Sequence, residues 1–281
     1  MLGDCVPSDH YEPADILAGI YGDGIIALVD AYDVSLIDRM RTSIERLYAE
    51  ARQLADGALP RGPERWYVEV APECIDGFNE IACHPWFLAV CDAVLGAQWK
   101  IVEVGFDIPF RGATLQPWHR DFAAPEATTQ GRQINSLAFN LTAVDTTPEM
   151  GPFEIAPGTQ WDIIEECPRG MFPERARWPR YEARKVAKMA QRGTISARSA
   201  LTIHRGTANV SDKARPVLVI GVDGPGATNA AHHDLQMTEA YAESLPEELR
   251  GRFNARIVDR ITAVRQNHVI EGLIDPVSGT Y

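Results

Sequence analysis

Long apolar runs are missing from this chain of 281 residues. The longest, Gly24 to Val29 and Val217 to Val222, fall far short of the roughly 20 residues that a membrane-spanning helix needs. No membrane partner is expected. Basic charge is scarce too: 27 Lys and Arg face 39 Asp and Glu, a net charge of −12 with histidines neutral. A nucleic-acid binder needs a basic face to neutralise phosphates, so no nucleic-acid partner is expected either. The five cysteines, Cys5, Cys74, Cys83, Cys91 and Cys167, include no C-x-x-C pair, which argues against a zinc site or a disulfide framework. They read as small packing hydrophobes. Residues Met1 to Asp15 hold Asp4, Asp9, Glu12 and Asp15 and no basic, apolar leader; a cytoplasmic location is the resulting expectation.

What is present is an ordinary globular composition, 45% hydrophobic and 23% charged, which leaves room for one large domain. The first third reads as helical with one strand. A short helical piece covers Asp15 to Ile20, an apolar strand Gly24 to Asp30, and a helix Val34 to Leu54, where Leu36, Met40, Ile44, Leu47 and Leu54 repeat at helical spacing. Gly57, Pro60, Gly62 and Pro63 then mark a loop carrying Trp66 and Tyr67, and Trp86 to Leu95 forms a helix ended by Gly96. From Trp99 to Val222 short β segments alternate with turn residues, the pattern of an antiparallel sandwich or barrel. Strands are expected at Lys100 to Ile108, Ile134 to Val144, Phe153 to Ala156, Thr194 to Ala197, Ala200 to Ile203 and Pro216 to Val222. In the second of these Leu137, Phe139, Leu141 and Ala143 alternate with a mostly polar set, which faces solvent in the simplest reading and a barrel mouth in the other. Helices return at Thr238 to Leu245 and Ala255 to Val264.

His119-Arg120-Asp121 is the sharpest local feature. In an extended segment residues i and i+2 point the same way, so the imidazole and the carboxylate converge while Arg120 faces elsewhere. Alone, H-x-D reads as a surface pair or a salt bridge. His204, at the end of the apolar run Ala200 to Ile203, is a third candidate ligand, although by itself it reads as a structural histidine. Two strands brought together would set His119, Asp121 and His204 on one face of a metal, the 2-His-1-carboxylate arrangement of non-haem Fe(II) oxygenases. Three open positions would suit a bidentate 2-oxo acid and O2. Arg215, just before Pro216 and the next apolar strand, offers a fork for a carboxylate, or a surface charge at a strand edge.

These residues resemble the phytanoyl-CoA dioxygenase-like family of Fe(II)/2-oxoglutarate oxygenases. The resemblance is carried, in order, by Asp23-Gly24-Ile25-Ile26, Trp118-His119-Arg120-Asp121, the run Met150 to Thr159, the run His204 to Ser211, and Arg215-Pro216. It implies a mainly β fold with flanking helices and a double-stranded β-helix core, a cupin-like jelly roll. One domain, 1–281, is then expected: a helical region with the first strand over 1–98, the jelly-roll core over 99–224 with an insertion at 161–192, and C-terminal helices and tail over 225–281. It also implies Fe(II) as cofactor and 2-oxoglutarate and O2 as cosubstrates. His119, Asp121 and His204 become the metal ligands and catalytic centre, and Arg215 the partner of the distal carboxylate of 2-oxoglutarate. Gln116 and Thr159 match positions that contact the cosubstrate in some relatives. Gln160 stands where relatives usually have His. Related halogenases replace the acidic ligand by a small residue, whereas Asp121 is retained, so a hydroxylase-type oxidation of an unactivated C–H bond with release of succinate and CO2 is expected. A jelly-roll binding protein and a divalent-metal hydrolase on a cupin-like barrel are the competing readings.

The insertion is unusual in charge. Residues 169–192 hold eight basic side chains against Glu174 and Glu182, a local +6 that leaves about −18 for the rest. In a jelly roll such a connection would cover the mouth as a lid. Trp161 and Trp178 are then expected to pack on substrate and Arg175, Arg177 and Arg180 to bind an anionic group; a solvated helix face through Arg184, Lys185 and Lys188 is the other reading. The substrate is expected to be a small molecule, a secondary metabolite or an amino-acid-like compound. The chain is expected to be a monomer or a homodimer.

Overall fold

The computed structural model describes residues 11–162 and 170–263. Its elements run α1 (Pro13–Gly22), β1 (Ile25–Leu28), α2 (Val34–Ala51), β2 (Leu59–Pro60), β3 (Arg65–Glu69), α3 (Phe78–Ala82), α4 (Pro85–Leu95), β4 (Lys100–Pro109) and α5 (Glu126–Thr129). They continue as β5 (Ser136–Thr142), β6 (Phe153–Ile155), α6 (Trp178–Arg184), β7 (Val186–Lys188), β8 (Ile195–Ser199), β9 (His204–Gly206), β10 (Val217–Asp223), β11 (Gln236–Thr238), α7 (Glu239–Ser244) and β12 (Arg256–Val258). Two antiparallel sheets face each other. The larger has the order β1-β8-β5-β10-β4-β3-β2 and the smaller β7-β6-β9. A further antiparallel bridge, His119 to His204, adds the segment around His119 to the free edge of β9.

The helices follow from local chemistry. In α2, Leu36, Ile37, Met40 and Ile44 share one buried face, while Arg41–Glu45 and Arg46–Glu50 pair across single turns on the other. Helix α4 starts at Pro85, with the His84 ring accepting the Trp86 N–H, and stops at Gly96, whose φ is 74°. Both helices cover the outer face of the large sheet. Phe87, Trp86 and Phe139 meet there, the Phe87 and Phe139 rings 4.2 Å apart. Leu218, Ile220, Val104 and Phe106 are wholly buried beside them, and burying each such side chain stabilises the fold by about 1.5–3 kcal/mol. Cys91 is buried in this core, and Cys74 and Cys83 are free and partly buried, as packing residues would be; Cys5 and Cys167 lie outside the described residues.

Five expectations are corrected. Residues Ala200 to Ile203 form a turn, and the strand begins at His204; Ala200 and Thr202 instead spend their backbone on Ser136 and Ser199. The stretch at Ala255 is strand β12, paired in parallel with β11, not a helix; Val264 lies outside the described residues. The loop after α2 contains the hairpin β2–β3, with Tyr67 opposite Leu59 and Asp107. The polar side of β5 does not face solvent: Ala138, Asn140 and Thr142 line an internal cavity. Lys188 belongs to strand β7 and not to a solvated helix face. No described helix is long and apolar enough to cross a membrane.

Candidate active site

One cavity lies between the two sheets. Register orders its wall. Ala138 of β5 stands opposite Arg198 of β8 on one side and Gly221 of β10 on the other, and Gly221 opposite Glu103 of β4. Arg198, Ala138, Gly221 and Glu103 therefore form one row across four strands, and three strand spacings put its ends about 14 Å apart. The floor between those ends is the Ala138 methyl group and the Gly221 backbone. A Cβ on Gly221 would stand 2.6 Å from a Glu103 carboxylate oxygen, so glycine makes room for the acid to lie across it.

His119, Asp121 and His204 line this cavity together. The bridge between the two histidines is reciprocal, each backbone N–H donating to the other's carbonyl at 2.9 and 2.7 Å. Their rings lie 4.4 Å apart. The Asp121 N–H donates to the Ala200 carbonyl, which sets its carboxylate 3.4 Å from His204 Nε2. Each imidazole spends Nδ1 on a carbonyl two residues earlier, Pro117 for His119 and Thr202 for His204, both at 2.9 Å. A carbonyl only accepts, so Nδ1 carries the proton and Nε2 keeps its lone pair, as a metal-ligating histidine requires. Burial pushes the His119 pKa down to about 4 and holds His204 well below the usual imidazole value, with Arg198 the next contributor there. Phe153 stacks on His204 at 4.9 Å, and Phe172 lies 6.2 Å from the His119 ring.

Arg198 was not foreseen as a site residue. Its Nη1 and Nη2 donate to the two oxygens of Asp121 at 2.7 and 2.9 Å, a two-point fork on the one carboxylate of the set. With the acid so engaged, the three candidate ligand atoms do not close to within 4.8 Å of one another. The residues nonetheless fit a divalent ion of borderline hardness: two neutral nitrogens and one carboxylate, backed by carbonyl acceptors and a guanidinium. Arg198 lay between two expected strands, Thr194 to Ala197 and Ala200 to Ile203, and only cross-strand register brings it to Asp121.

At the other end of the row, Glu69, Glu103 and His233 bring three candidate ligand atoms within 4.8 Å of one another. Both imidazole nitrogens face a carboxylate here, Nδ1 against Glu69 and Nε2 3.6 Å from Glu103. The Tyr67 hydroxyl donates to Glu103. Burial opposes charge on His233, but Glu103 and Glu69 outweigh it and raise its pKa to about 9. The two acids favour the imidazolium form of His233, and in that form the ring has no nitrogen lone pair to offer a metal.

Arg215 lines the cavity and is 4% exposed. Its Nε donates to the Gly151 carbonyl at 3.1 Å and its Nη2 has no partner. Gln116 also lines the cavity, but its amide is occupied at both ends, donating to the Arg61 carbonyl and accepting from the Gly206 N–H. Thr159 is fully buried away from the cavity wall. Its hydroxyl donates to the Ala156 carbonyl and accepts the Ile203 N–H, which fixes the turn before His204. Gln160 donates to the carbonyls of Ile20, Tyr21 and Gly22 and so ties helix α1 to the barrel.

The expected substrate residues are not at the site. None of Trp161, Arg175, Arg177, Trp178 and Arg180 lines the cavity. Trp161 packs on Tyr21 and donates to its carbonyl. Arg175 lies over Trp178 at 5.5 Å, and Arg180 pairs with buried Asp162. Part of the positive segment is neutralised by its neighbours: Lys185 bonds Glu154 and Glu182, and Arg192 bonds Asp38. Its local charge serves attachment because buried acids such as Glu154 and Asp162 require counterions.

The profile of the phytanoyl-CoA dioxygenase (PhyH) family matches residues 20–217. The chain belongs to this family. PhyH proteins use Fe(II), 2-oxoglutarate and O2, and the chain shares their cupin or jelly-roll fold. Similar solved structures include the epimerase SnoN in complex with Fe3+, alpha ketoglutarate and nogalamycin RO, at 19% identity over 76% of this chain and 85% of that one, TM-score 0.59. The carbocyclase SnoK from nogalamycin biosynthesis matches at 15% identity over 78% and 87%, TM-score 0.60. EctD from S. alaskensis, with 2-oxoglutarate and 5-hydroxyectoine, matches at 16% identity over 79% and 80%, TM-score 0.61. No curated protein matches the chain significantly.

Proposed function

We propose that this PhyH protein is an Fe(II)- and 2-oxoglutarate-dependent oxygenase that oxidises an unactivated C–H bond of a small polar molecule, in the hydroxylase manner. The observation that carries this is the paired histidines: both Nδ1 atoms are committed to carbonyls at 2.9 Å, both rings are kept neutral, and a carboxylate stands 3.4 Å from one Nε2. His119, Asp121 and His204 would hold the iron. When bound, iron with 2-oxoglutarate and O2 supplies the oxidising chemistry, the cosubstrate leaving as succinate and CO2.

The protein's own part is placement. Arg215, with an unpartnered Nη2, offers two-point binding to the distal carboxylate of the cosubstrate. The Ala138–Gly221 floor gives substrate a slot between Asp121 and the Glu103–His233 pair, where hydrogen-bonding groups fix its orientation. Phe153 and Phe172 shield the imidazoles from water. SnoN is an epimerase and SnoK a carbocyclase by name, so the same fold supports more than one outcome of C–H oxidation. The test is an anaerobic titration with Fe(II) and 2-oxoglutarate for a weak visible charge-transfer band, followed by succinate formation across a metabolite panel. A band in the wild type that is absent from His204→Ala is expected. Absence of a band in the wild type, or turnover independent of both O2 and 2-oxoglutarate, would overturn the reading. Ala138→Leu, which fills the floor, is expected to weaken substrate stimulation while leaving the band intact.

A further inference from the structure

Five Lys and Arg side chains line the cavity; Arg61 lies over the Tyr67 ring, and the other four fall into two kinds. Arg65 and Arg198 are each in a two-point pair with a carboxylate, Asp107 and Asp121 respectively. Lys188 and Arg215 are not. Among the described residues neither has a carboxylate within salt-bridge distance. Lys188 bonds the Ser196 hydroxyl at 2.6 Å, and Arg215 the Gly151 carbonyl. Lys188 is half-buried as a residue, with its ammonium over the Phe153 ring, 5.9 Å from the ring centre. The ammonium end is enclosed by protein, and burial lowers its pKa to about 7, with Arg215 and then Arg198 adding to the effect. Arg215 is lowered to about 10, by burial first and then by Arg65. Asp107 acts on Arg215 from its pair with Arg65, so neither buried cation has an anion of its own, which is costly to a fold; a bound anion would lower that cost.

Register says which anion. Ser196, which holds the ammonium, faces Asn140, one inward step along β8 from Arg198, a rise of about 7 Å. Thr142 and Val217 face each other one step further along β5 and β10, and Arg215 lies just beyond Val217. Lys188 thus sits on the Arg215 side of the histidines, away from the Ala138–Gly221 floor and the Glu103–His233 pair. A five-carbon dicarboxylate with its 2-oxo acid end at His119, Asp121 and His204 would extend its other carboxylate in that direction.

We propose that Lys188 is the second cation of an anion socket that, with Arg215, binds the distal carboxylate of 2-oxoglutarate. The assignment rests on the oxygenase reading above. It is tested by calorimetric titration of the Mn(II)-loaded protein with 2-oxoglutarate and with pyruvate, a 2-oxo acid that lacks the distal carboxylate. The wild type is expected to prefer 2-oxoglutarate strongly. Lys188→Met, which keeps the stem, is expected to bind 2-oxoglutarate about 10- to 100-fold more weakly, the usual worth of one charged hydrogen bond, with pyruvate affinity unchanged. Unchanged 2-oxoglutarate affinity, or an equal loss for both acids, would overturn the role of Lys188 and leave the oxygenase reading standing. A wild type that does not distinguish the two acids would overturn that reading itself. Folding is followed separately: without ligand, Lys188→Met is expected to melt at or above the wild-type temperature, because an uncompensated buried charge has been removed. A markedly lower midpoint would show that the ammonium is satisfied without an anion and would also count against the socket. Ser196→Ala, which only frees the ammonium, is expected to lose less 2-oxoglutarate affinity than Lys188→Met.

Discussion

Two histidine environments share one cavity and are wired in opposite ways. His119 and His204 each give Nδ1–H to a backbone carbonyl and keep Nε2 unprotonated in a buried setting that lowers their pKa. His233, at the far end of the same row, faces Glu69 with one nitrogen and Glu103 with the other, and its pKa rises to about 9. Clustering of acids and imidazoles is therefore not what prepares a metal site. A neutral acceptor on one nitrogen leaves the other nucleophilic; a carboxylate on each nitrogen turns the ring into a cation. By this criterion the looser trio is the one we propose as the metal site, and the tighter one we read as a structural or substrate-facing ion cluster.

Breaking the metal-ready side is expected to have the largest effect. His204→Ala should abolish the Fe(II)/2-oxoglutarate charge-transfer band and succinate formation, whereas His233→Ala should leave the band in place; loss of the band in both would erase the distinction. Arg198 comes next. Replacing it by Met leaves Asp121 to the metal alone and removes a like charge, so Fe(II) affinity should rise about tenfold. Weaker binding in a fluorescence-quench titration would show that the fork orients the acid more than it competes for it.

The His233 side shows itself in stability. Its folded pKa, about 9, lies above the unfolded value of about 6.5. The stabilisation is thus fully present below about pH 6.5 and is lost as the pH rises through 9. Glu69, Glu103 and Asp223 face the ring, with Asn229 at Nε2. Unfolding free energies from urea titration are expected to fall over that window in the wild type, by a few kcal/mol at most, and to be flatter in His233→Gln. A parallel fall in both would place the titrating group elsewhere. The smallest effect should come from Tyr67→Phe, which removes one hydrogen bond to Glu103 and should cost about 1 kcal/mol in the same assay.

How much was legible follows from what each residue faces. Helices α2 and α4 bury one stripe against the sheet and expose the other, so their periodicity marks them. Strand β3 escaped because Arg65 and Tyr67 line a polar cavity and Glu69 pairs with His233, while Trp66 and Val68 alternate with them, and Pro60 and Gly62 beside it read as loop. The polar side of β5 misled for the same reason: Asn140 and Thr142 line an interior that looks like solvent in a one-dimensional pattern. The stretch Ala200 to Ile203 is buried throughout and was read as strand on apolarity alone, although its backbone turns. The lid reading counted charges along the chain, whereas Arg180, Lys185 and Arg192 are paired with acids from elsewhere in the fold.

The order and types of residues alone determined the family, the jelly-roll class and the histidines, aspartate and arginine from which the site is read, because those depend on short motifs and on spacing along strands. Tertiary structure alone decided that Arg198 grips Asp121, that Lys188 stands without a carboxylate partner on the Arg215 side, and that Arg175, Arg177 and Arg180 stay off the cavity wall. Each is a matter of pairing between distant strands, and a one-residue change of register would send every such side chain to the opposite face.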